Sequence, residues 1–239
     1  FRQCPKRLWL EVHHPELREK SSTTRAGFTA GRQVGDIARQ LYDRANKAIL
    51  IDPQTTGFDT AFTRTQELLQ SDQPIFEAGF RTREALTFAD VMLPANQDGK
   101  PGWRMVEVKS SISIKDYHRD DTAIQAFIAR SSGVPLTAIA LAHINNSWVY
   151  PGQDNYDGLL IENDLTKETF SRYEEVRTWI SEAQKITEQI NEPEIPTGDQ
   201  CSSPFSCDFY AYCHSRELQT EHSVHWLPYP GEALKEYIA

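Results

Sequence analysis

The sequence predicts an α/β fold of mixed α+β type, in which helices flank a central mixed sheet and a small cysteine-rich module joins the two ends of the chain. Three consecutive strand-like segments lie between two amphipathic helices, an order typical of a flanked mixed sheet. The 239 residues, 39% of them hydrophobic, suffice for one full core with a small appendage. The four cysteines occupy position 4 and the stretch 201–213.

The first half of the chain supplies a long helix and most of the sheet. Apolar residues recur near a 3.6-residue period from Val34 to Tyr42, which predicts a helix over residues 22–44. A short strand over 48–51 and a helix over 60–70 follow. The meander that comes next is predicted over residues 75–81, 85–93 and 103–110.

The second half returns to a helix, adds strands and ends in a charged helix. The predicted order is a helix over 115–131, strands over 136–144, 148–150 and 159–161, and a long helix over 166–191. We therefore expect an N-terminal segment with the first cysteine (1–21), a catalytic core (22–165) and a C-terminal helix with a cysteine-rich module (166–239).

The chain contains no run of 18 or more apolar residues and no signal-peptide pattern, so we expect a cytoplasmic protein without a membrane partner. Its first residue is Phe1 rather than Met, and it ends directly after a helical pattern. These two features are compatible with a fragment of a longer protein, and they leave room for an additional domain or protein partner.

The net charge of −9 argues at first against a nucleic-acid partner, but the charges are distributed unevenly. Residues 1–50 hold ten Lys and Arg against five Asp and Glu, whereas residues 154–239 hold six against seventeen. This asymmetry permits a local phosphate-binding face, and it is equally compatible with ordinary solvated helix faces.

The residues best suited to chemistry lie on two of the predicted strands. Alternate side chains of a strand share a face, so Glu107 and Lys109 point the same way, and Asp90 comes beside Glu107 if the two strands pair. Two carboxylates and a backbone carbonyl, that of Val108, would suit Mg²⁺, while the ammonium could orient a water and stabilise negative charge. The Glu-Val-Lys spacing alone is common on exposed strands.

The helix after that strand adds a polar face. Asp121 and Gln125 are four residues apart and stack on one side of the helix, next to an apolar stripe. Gln125 could therefore lie over the metal site, although Gln is more often simply exposed.

Together the motifs resemble RecB-type PD-(D/E)XK nucleases, in the iron-sulfur branch related to the CRISPR-associated adaptation nucleases. The resemblance rests on Gly31-Arg32-Gln33-Val34-Gly35, Phe88-Ala89-Asp90, Val106 to Ser111 and Asp121 to Gln125. It implies a restriction-endonuclease-like core, Mg²⁺ or Mn²⁺ on Asp90 and Glu107, a hydrolytic role for Lys109 and a supporting one for Gln125.

The chain departs from that family on the first helix, where many relatives place a metal-binding histidine and this sequence has Gly35. Glu77, on the strand before Asp90, is our preferred third carboxylate, ahead of Asp36. Gly31 and Gly35 are four residues apart, which we interpret as close packing of this helix against the sheet.

The cysteines form a second group. A clustered trio, Cys201, Cys207 and Cys213, with a distant Cys4 favours metal binding over disulfides, and the paired spacing usual for zinc is absent. An iron-sulfur cluster accepts thiolates from distant segments, and the resemblance implies a 4Fe-4S cluster that joins the two ends of the chain. Zinc and free or bridged thiols remain alternatives.

Three functions are compatible with these patterns. The first is a metal-dependent deoxyribonuclease acting on single-stranded DNA or DNA ends, as an exonuclease would, with phosphate contacts assigned to Arg2, Lys6, Arg7 and Arg25. The second is a catalytically degenerate nucleic-acid-binding module, and the third is an iron-sulfur redox or sensing protein.

Overall fold

The computed structural model describes residues 1–19 and 22–217, without the side chains of residues 22–28. Contacts divide the chain into two compact units. The larger unit, Thr23–Ser181, contains the sheet, and the smaller takes its described residues from 1–22 and from 182 onward. The contacts thus place residues 166–181 with the sheet rather than with the cysteine-rich segments.

Six strands form one mixed sheet in sequence order. They are β1 (Ile49–Leu50), β2 (Ile75–Arg81), β3 (Leu86–Gln97), β4 (Lys100–Lys109), β5 (Leu136–Ile144) and β6 (Leu160–Asp164). β1 runs parallel to β2 and β4 parallel to β5, and the other neighbours are antiparallel. The predicted mixed sheet is therefore confirmed.

One predicted strand is wrong. Residues 148–150 have no regular structure, because the rings of Trp148 and Tyr150 pack against Tyr156 within the loop that joins β5 to β6. The hydroxyl of Tyr150 also accepts the backbone N–H of Asp154 at 2.9 Å. Local packing of aromatic side chains thus outweighs the strand propensity of this stretch.

The helices of the described chain are α1 (Pro5–His13), α2 (Ser22–Tyr42), α3 (Pro53–Thr56), α4 (Phe58–Leu68), α5 (Asp116–Ser131), α6 (Thr166–Ser171), α7 (Tyr173–Thr187) and α8 (Tyr210–Ser215). The single helix predicted over 166–191 is broken at Arg172. There the backbone N–H bonds to the carbonyl of Thr169, three residues earlier, instead of four as in an α-helix. The guanidinium of Arg172 also pairs with Asp120 at 2.5 Å. None of the described helices combines the length and the apolar composition needed to cross a membrane.

Both faces of the sheet are covered within the larger unit. On one face the buried core includes Ala61 and Leu68 of α4 and Ala126 and Ile128 of α5. On the other, Tyr42 of α2 packs against a cluster that contains Phe76, Val91 and Val106. The β4–α5–β5 crossover joins two parallel strands, as such strands require. Helices therefore flank the mixed sheet, as predicted.

The smaller unit has its own core of Trp9, Leu10 and Phe209. The indole N–H of Trp9 donates to the backbone oxygen of Gln189 at 2.9 Å, and the backbone N–H of Glu19 donates to Asp208 at 2.8 Å. Residues near the start of the chain and residues beyond 182 thus share one core and one hydrogen-bond network.

Candidate functional site

Asp90 lies where β3 stops pairing with β4. The residue pairs between the two strands begin at the turn with Gln97 opposite Lys100 and end with Val91 opposite Val106. Asp90 is the next residue of β3 after that last pair. Its Oδ2 accepts the backbone N–H of Val108 at 2.7 Å. Burial raises the pKa of Asp90, against the lowering effects of that N–H and of the charge of Lys109. The bond to Val108 places Asp90 close to Glu107, the residue before Val108 on β4.

Glu107 is a buried acid with only 3% of its surface exposed. Its Oε1 accepts from the ammonium of Lys109 at 2.6 Å, while its Oε2 has no hydrogen-bond partner among the described residues. Burial, followed by the neighbouring charge of Asp90, raises the pKa of Glu107 well above its usual range. A buried carboxyl with an unsatisfied oxygen is costly, and such groups usually serve a site.

Lys109 contacts two carboxylates from different elements. Its ammonium pairs with Glu107 on its own strand and with Asp121 on α5. Although burial acts to lower the pKa of Lys109, those two carboxylates raise it above its ordinary value. The side chain is therefore an ammonium at neutral pH, so it can donate a hydrogen bond or stabilise negative charge but cannot serve as a base.

Glu77 lies on β2 in line with Asp90, since the neighbouring pairs are Phe76 with Val91 and Ala78 with Ala89. Its backbone has a positive φ of 55°, a conformation that costs free energy for a residue with a side chain. Burial and the charge of Asp90 raise the pKa of Glu77 to about 7, and Arg39, with its Nη1 3.9 Å from Glu77 Oε1, opposes that rise. Three acids thus lie close together at this end of the sheet.

Gln125 lies on α5, one turn beyond Asp121 on the same side of the helix. It is 7% exposed, and among the described residues nothing hydrogen-bonds to its Oε1. No direct bond to Asp90, Glu107 or Lys109 is found in the described chain. Its burial nevertheless excludes the interpretation that it is an ordinary exposed polar residue.

A cleft of about 660 Å³ opens beside Asp90. We call it the α2 cleft, because α2 forms one wall and the sheet the other. Its charged lining consists of Arg32, Asp36, Arg39, Asp52, Glu77 and Asp90. Arg39 pairs with Asp36 and reaches toward Glu77, so a guanidinium lies between the helix and the acids. The cleft therefore offers both cationic and anionic groups to a ligand.

The predicted packing role of Gly31 and Gly35 is wrong. Both residues line the α2 cleft, and a Cβ added at Gly31 would meet no atom of the described residues within 4 Å. At Gly35 it would meet only the Nη1 of Arg39, at 3.9 Å. The glycines face open space, because this side of α2 looks into the cleft rather than onto the sheet.

The four cysteines line one narrow space of about 10 Å³ in the smaller unit, together with Lys6, Arg7, Leu10 and Phe209. Burial raises the pKa of Cys213 to about 11, with further contributions from Cys207 and Cys201. Burial also raises the pKa of Cys207, to which Cys201 and Cys4 contribute. Four free thiols, one near residue 4 and three from 201–213, thus line one space.

No group of three or more His, Cys, Asp or Glu side chains in the described residues converges on a single point as one metal ion would require. That holds for the four cysteines and for the acids Asp90, Glu107 and Glu77 alike.

Three of the basic residues assigned to phosphate binding, Arg2, Lys6 and Arg7, belong to the smaller unit. Lys6 pairs with Glu192 at 2.7 Å, and the guanidinium of Arg7 lies 5.0 Å from the ring centroid of Phe205, so both have partners in the smaller unit. Arg2 is exposed in the same unit, and the side chain of Arg25 lies outside the described residues.

Sequence reasoning missed the two arginines that line the α2 cleft, Arg32 and Arg39, and the ion pair between Lys109 and Asp121. The helical spacing contained a signal for the arginines. Gly31 and Gly35 share a side of α2, and Arg39 is four residues beyond Gly35, so all three face one way. The Asp121 pair required knowledge of how α5 packs on β4.

No protein-family model and no curated protein matches the chain. One solved structure with some similarity is described as "Crystal structure of SSO0001", with 14% sequence identity, a TM-score of 0.34, and coverage of 90% of this chain and 83% of that one. We draw nothing about fold or function from a similarity of that size. The restriction-endonuclease-like core thus remains an interpretation of the motifs.

Proposed function

We propose that this chain is a metal-dependent nuclease that hydrolyses DNA phosphodiester bonds, with single-stranded DNA or DNA ends as its substrate. The observation that carries the proposal is the proximity of two acids, the half-buried Asp90 and the buried Glu107, to the ammonium of Lys109 at the edge of an open cleft. Burying acids together in this way lowers stability, which favours a functional interpretation over a structural one.

The residues present fit a hard divalent cation. Oε2 of Glu107 is buried and has no donor in the part of the chain that the structure describes, and such an oxygen is a suitable ligand for Mg²⁺ or Mn²⁺. Asp90, Glu107 and the carbonyl of Val108 would hold the ion, and Glu77, which does not converge with the two other acids on one point, would add negative charge nearby. The bound cation would supply Lewis acidity and lower the pKa of a bound water.

The chain's own residues divide the remaining tasks. Lys109 presents a protonated ammonium held against Glu107, so it can orient a water by hydrogen bonding and stabilise charge that develops on the phosphate. Arg39 and Arg32 line the α2 cleft and can pair with phosphate oxygens, as guanidinium groups do. We therefore assign the phosphate contacts in the larger unit to these two arginines.

A 4Fe-4S cluster on Cys4, Cys201, Cys207 and Cys213 is part of the proposal. The fit rests on the donor set, because four free thiols line one cavity next to the cationic side chains of Lys6 and Arg7. Those positive charges would partly offset the negative charge of four thiolates. Such a cluster would connect the first residues of the chain to those beyond 200 and so stabilise the smaller unit.

The test is cleavage of end-labelled single- and double-stranded DNA with Mg²⁺ or Mn²⁺, compared between the parent, Lys109→Met and Lys100→Met. Lys100 is an exposed lysine at the other end of β4, so its variant is the matched control. We expect the Lys109 variant to cleave about 10²-fold more slowly, and the Lys100 variant to match the parent.

Two results would contradict the proposal. Tight DNA binding without cleavage under any metal would indicate the degenerate binding module. A reversible redox response in a protein that neither binds nor cleaves DNA would indicate the iron-sulfur sensing function.

A further inference from the structure

Lys109 is held from two sides. Glu107 approaches from two residues earlier on β4, and Asp121 approaches from the second turn of α5. The lysine side chain is 21% exposed, so its ammonium has lost most of its water and depends on these partners. The two contacts come from different elements, which fixes the ammonium in space better than one contact would.

The two carboxylates differ in what else they do. Glu107 also lies close to Asp90, which accepts the backbone N–H of the next residue, Val108, so it belongs to the acidic pair that we propose as a cation site. Among the described residues, Asp121 has no ion pair other than the one with Lys109, and its side chain is about half exposed. If Glu107 binds a cation, Asp121 is the carboxylate that still pairs with Lys109.

We propose that Asp121 is a positioning residue for Lys109, which it holds at the reaction site when Glu107 serves the cation. The inference rests on the proposed function. Asp121 does not touch the reacting atoms in this scheme. Its effect on the reaction passes entirely through the ammonium, because a misplaced donor loses much of its effect on the transition state.

The alternative is an ordinary partly exposed ion pair, which contributes little. Asp120 provides the matched control, because the neighbouring residue on α5 makes its own ion pair with Arg172 at 2.5 Å. Asp120→Asn removes a carboxylate and an ion pair from the same helix without touching Lys109. Asp121→Asn removes the charge at nearly constant size, and Asp121→Glu keeps the charge on a longer arm.

The first measurement is steady-state cleavage. Asp121→Asn should lower kcat by about tenfold or more with little change in KM, while Asp120→Asn should match the parent and Asp121→Glu should recover part of the loss. In the Lys109→Met background, Asp121→Asn should lower kcat no further, because the residue through which Asp121 acts has been removed. Additive losses in the double variant would overturn the inference.

The second measurement does not depend on activity. In metal-free protein, acetylation of Lys109 by an amine-reactive ester can be followed by peptide mass spectrometry. Asp121→Asn should speed labelling of Lys109 several-fold, and Asp120→Asn should not. An unchanged labelling rate would overturn the inference even in an active nuclease. A parent that labels as expected but cleaves no DNA would overturn the proposed function and leave the contact between Asp121 and Lys109 established.

Discussion

The carboxylate of Asp90 accepts the backbone N–H of Val108 at 2.7 Å, so β3 is attached to β4 between Glu107 and Lys109. One side chain thereby satisfies a backbone donor at the end of the strand ladder. That bond keeps Asp90 close to Glu107, although burial raises the pKa of both acids and the charge of Asp90 raises the pKa of Glu107 further.

The first prediction concerns that acidic pair. Asp90→Asn keeps an oxygen that can accept the Val108 N–H but removes the repulsion with Glu107, so the metal-free variant should be more stable than the parent at pH 7. We expect a rise in Tm of about 2–4 °C, the size that ~1 kcal/mol produces in a chain of this length. Calorimetry in the presence of a chelator measures it.

The same variant should lose DNA cleavage and bind Mn²⁺ more weakly, because it lacks one of the proposed ligands. Glu162→Gln is the control, since Glu162 is a partly exposed acid paired with Arg104 and lies outside the site. It should keep activity and gain no stability. An Asp90→Asn protein that cleaves DNA as fast as the parent would exclude Asp90 from the site.

Much of this arrangement could be predicted from sequence. The alternation of Val106, Glu107, Val108 and Lys109 fixes which side chains share a face, and a meander of three strands makes Asp90 a neighbour of Glu107. Strand periodicity and turn residues are local properties, so they are visible in a single chain. The position of Gln125 on the same side of the helix as Asp121 was predictable for the same reason, from helical spacing alone.

The rest depends on packing that no local pattern contains. Nothing near Glu77 indicates a positive φ, which arises where β2 passes Asp90. Gly31 and Gly35 resemble a packing motif, yet they face the α2 cleft. The direction in which a helix turns its small residues is decided by its tertiary neighbours. The four-residue spacing of the glycines therefore could not show whether that face of α2 packs against the sheet or lines an open cleft.

The second prediction uses the raised pKa of Glu77. Burial and Asp90 raise that pKa from an ordinary value of 4.5 to about 7 in the folded protein. Its contribution to stability is therefore fully present below pH 4.5 and is lost as the pH rises through 7. Glu77→Gln should remove this loss. As the pH rises from 4.5 to 8, the free energy of unfolding of the variant should therefore increase relative to that of the metal-free parent.

Urea unfolding of both proteins across that pH range measures the difference. The side chain of Glu77 is 39% exposed, so solvent will reduce the effect and we predict its sign rather than its size. A difference between the two proteins that stays constant with pH would show that Glu77 has an ordinary pKa.

The third prediction has the opposite sign and concerns His118, which is 5% exposed on α5. Its Nδ1 accepts the backbone N–H of Lys115 at 3.2 Å, so the ring is neutral in the fold. Burial, followed by the charges of Lys109 and Lys115, lowers its pKa from 6.5 to about 4. Stability from the neutral ring is present above pH 6.5 and is lost as the pH falls through 4.

His118→Gln cannot be protonated, so it should lose less stability than the parent between pH 6.5 and 4. Thermal unfolding of both proteins at pH 4.5 and at pH 7.5 tests this. The gap between their Tm values should narrow or reverse at the lower pH. A gap of the same size at both values would mean that His118 does not titrate differently on folding.

The last prediction concerns the cysteine cavity of the smaller unit. Protein purified without oxygen should be brown, absorb broadly near ~400 nm and contain about four iron atoms per chain, as a thiolate-bound 4Fe-4S cluster requires. Cys207→Ser should lose most of the iron and much of the stability, because metal binding and folding are linked in sites of this kind. Ser206→Ala, at the neighbouring exposed position, should keep both.

The cluster's role can be separated from the chemistry in the same variants. Its cysteines are in the smaller unit, whereas Asp90, Glu107 and Lys109 are in the larger one. A structural cluster should therefore leave the single-turnover cleavage rate of the remaining folded Cys207→Ser protein close to that of the parent. Its loss would instead appear as a lower Tm and lower solubility. Colourless protein with stoichiometric zinc would exclude the cluster. Full stability of Cys207→Ser would exclude its structural role, since removing one of four ligands must weaken any link that the four cysteines form together.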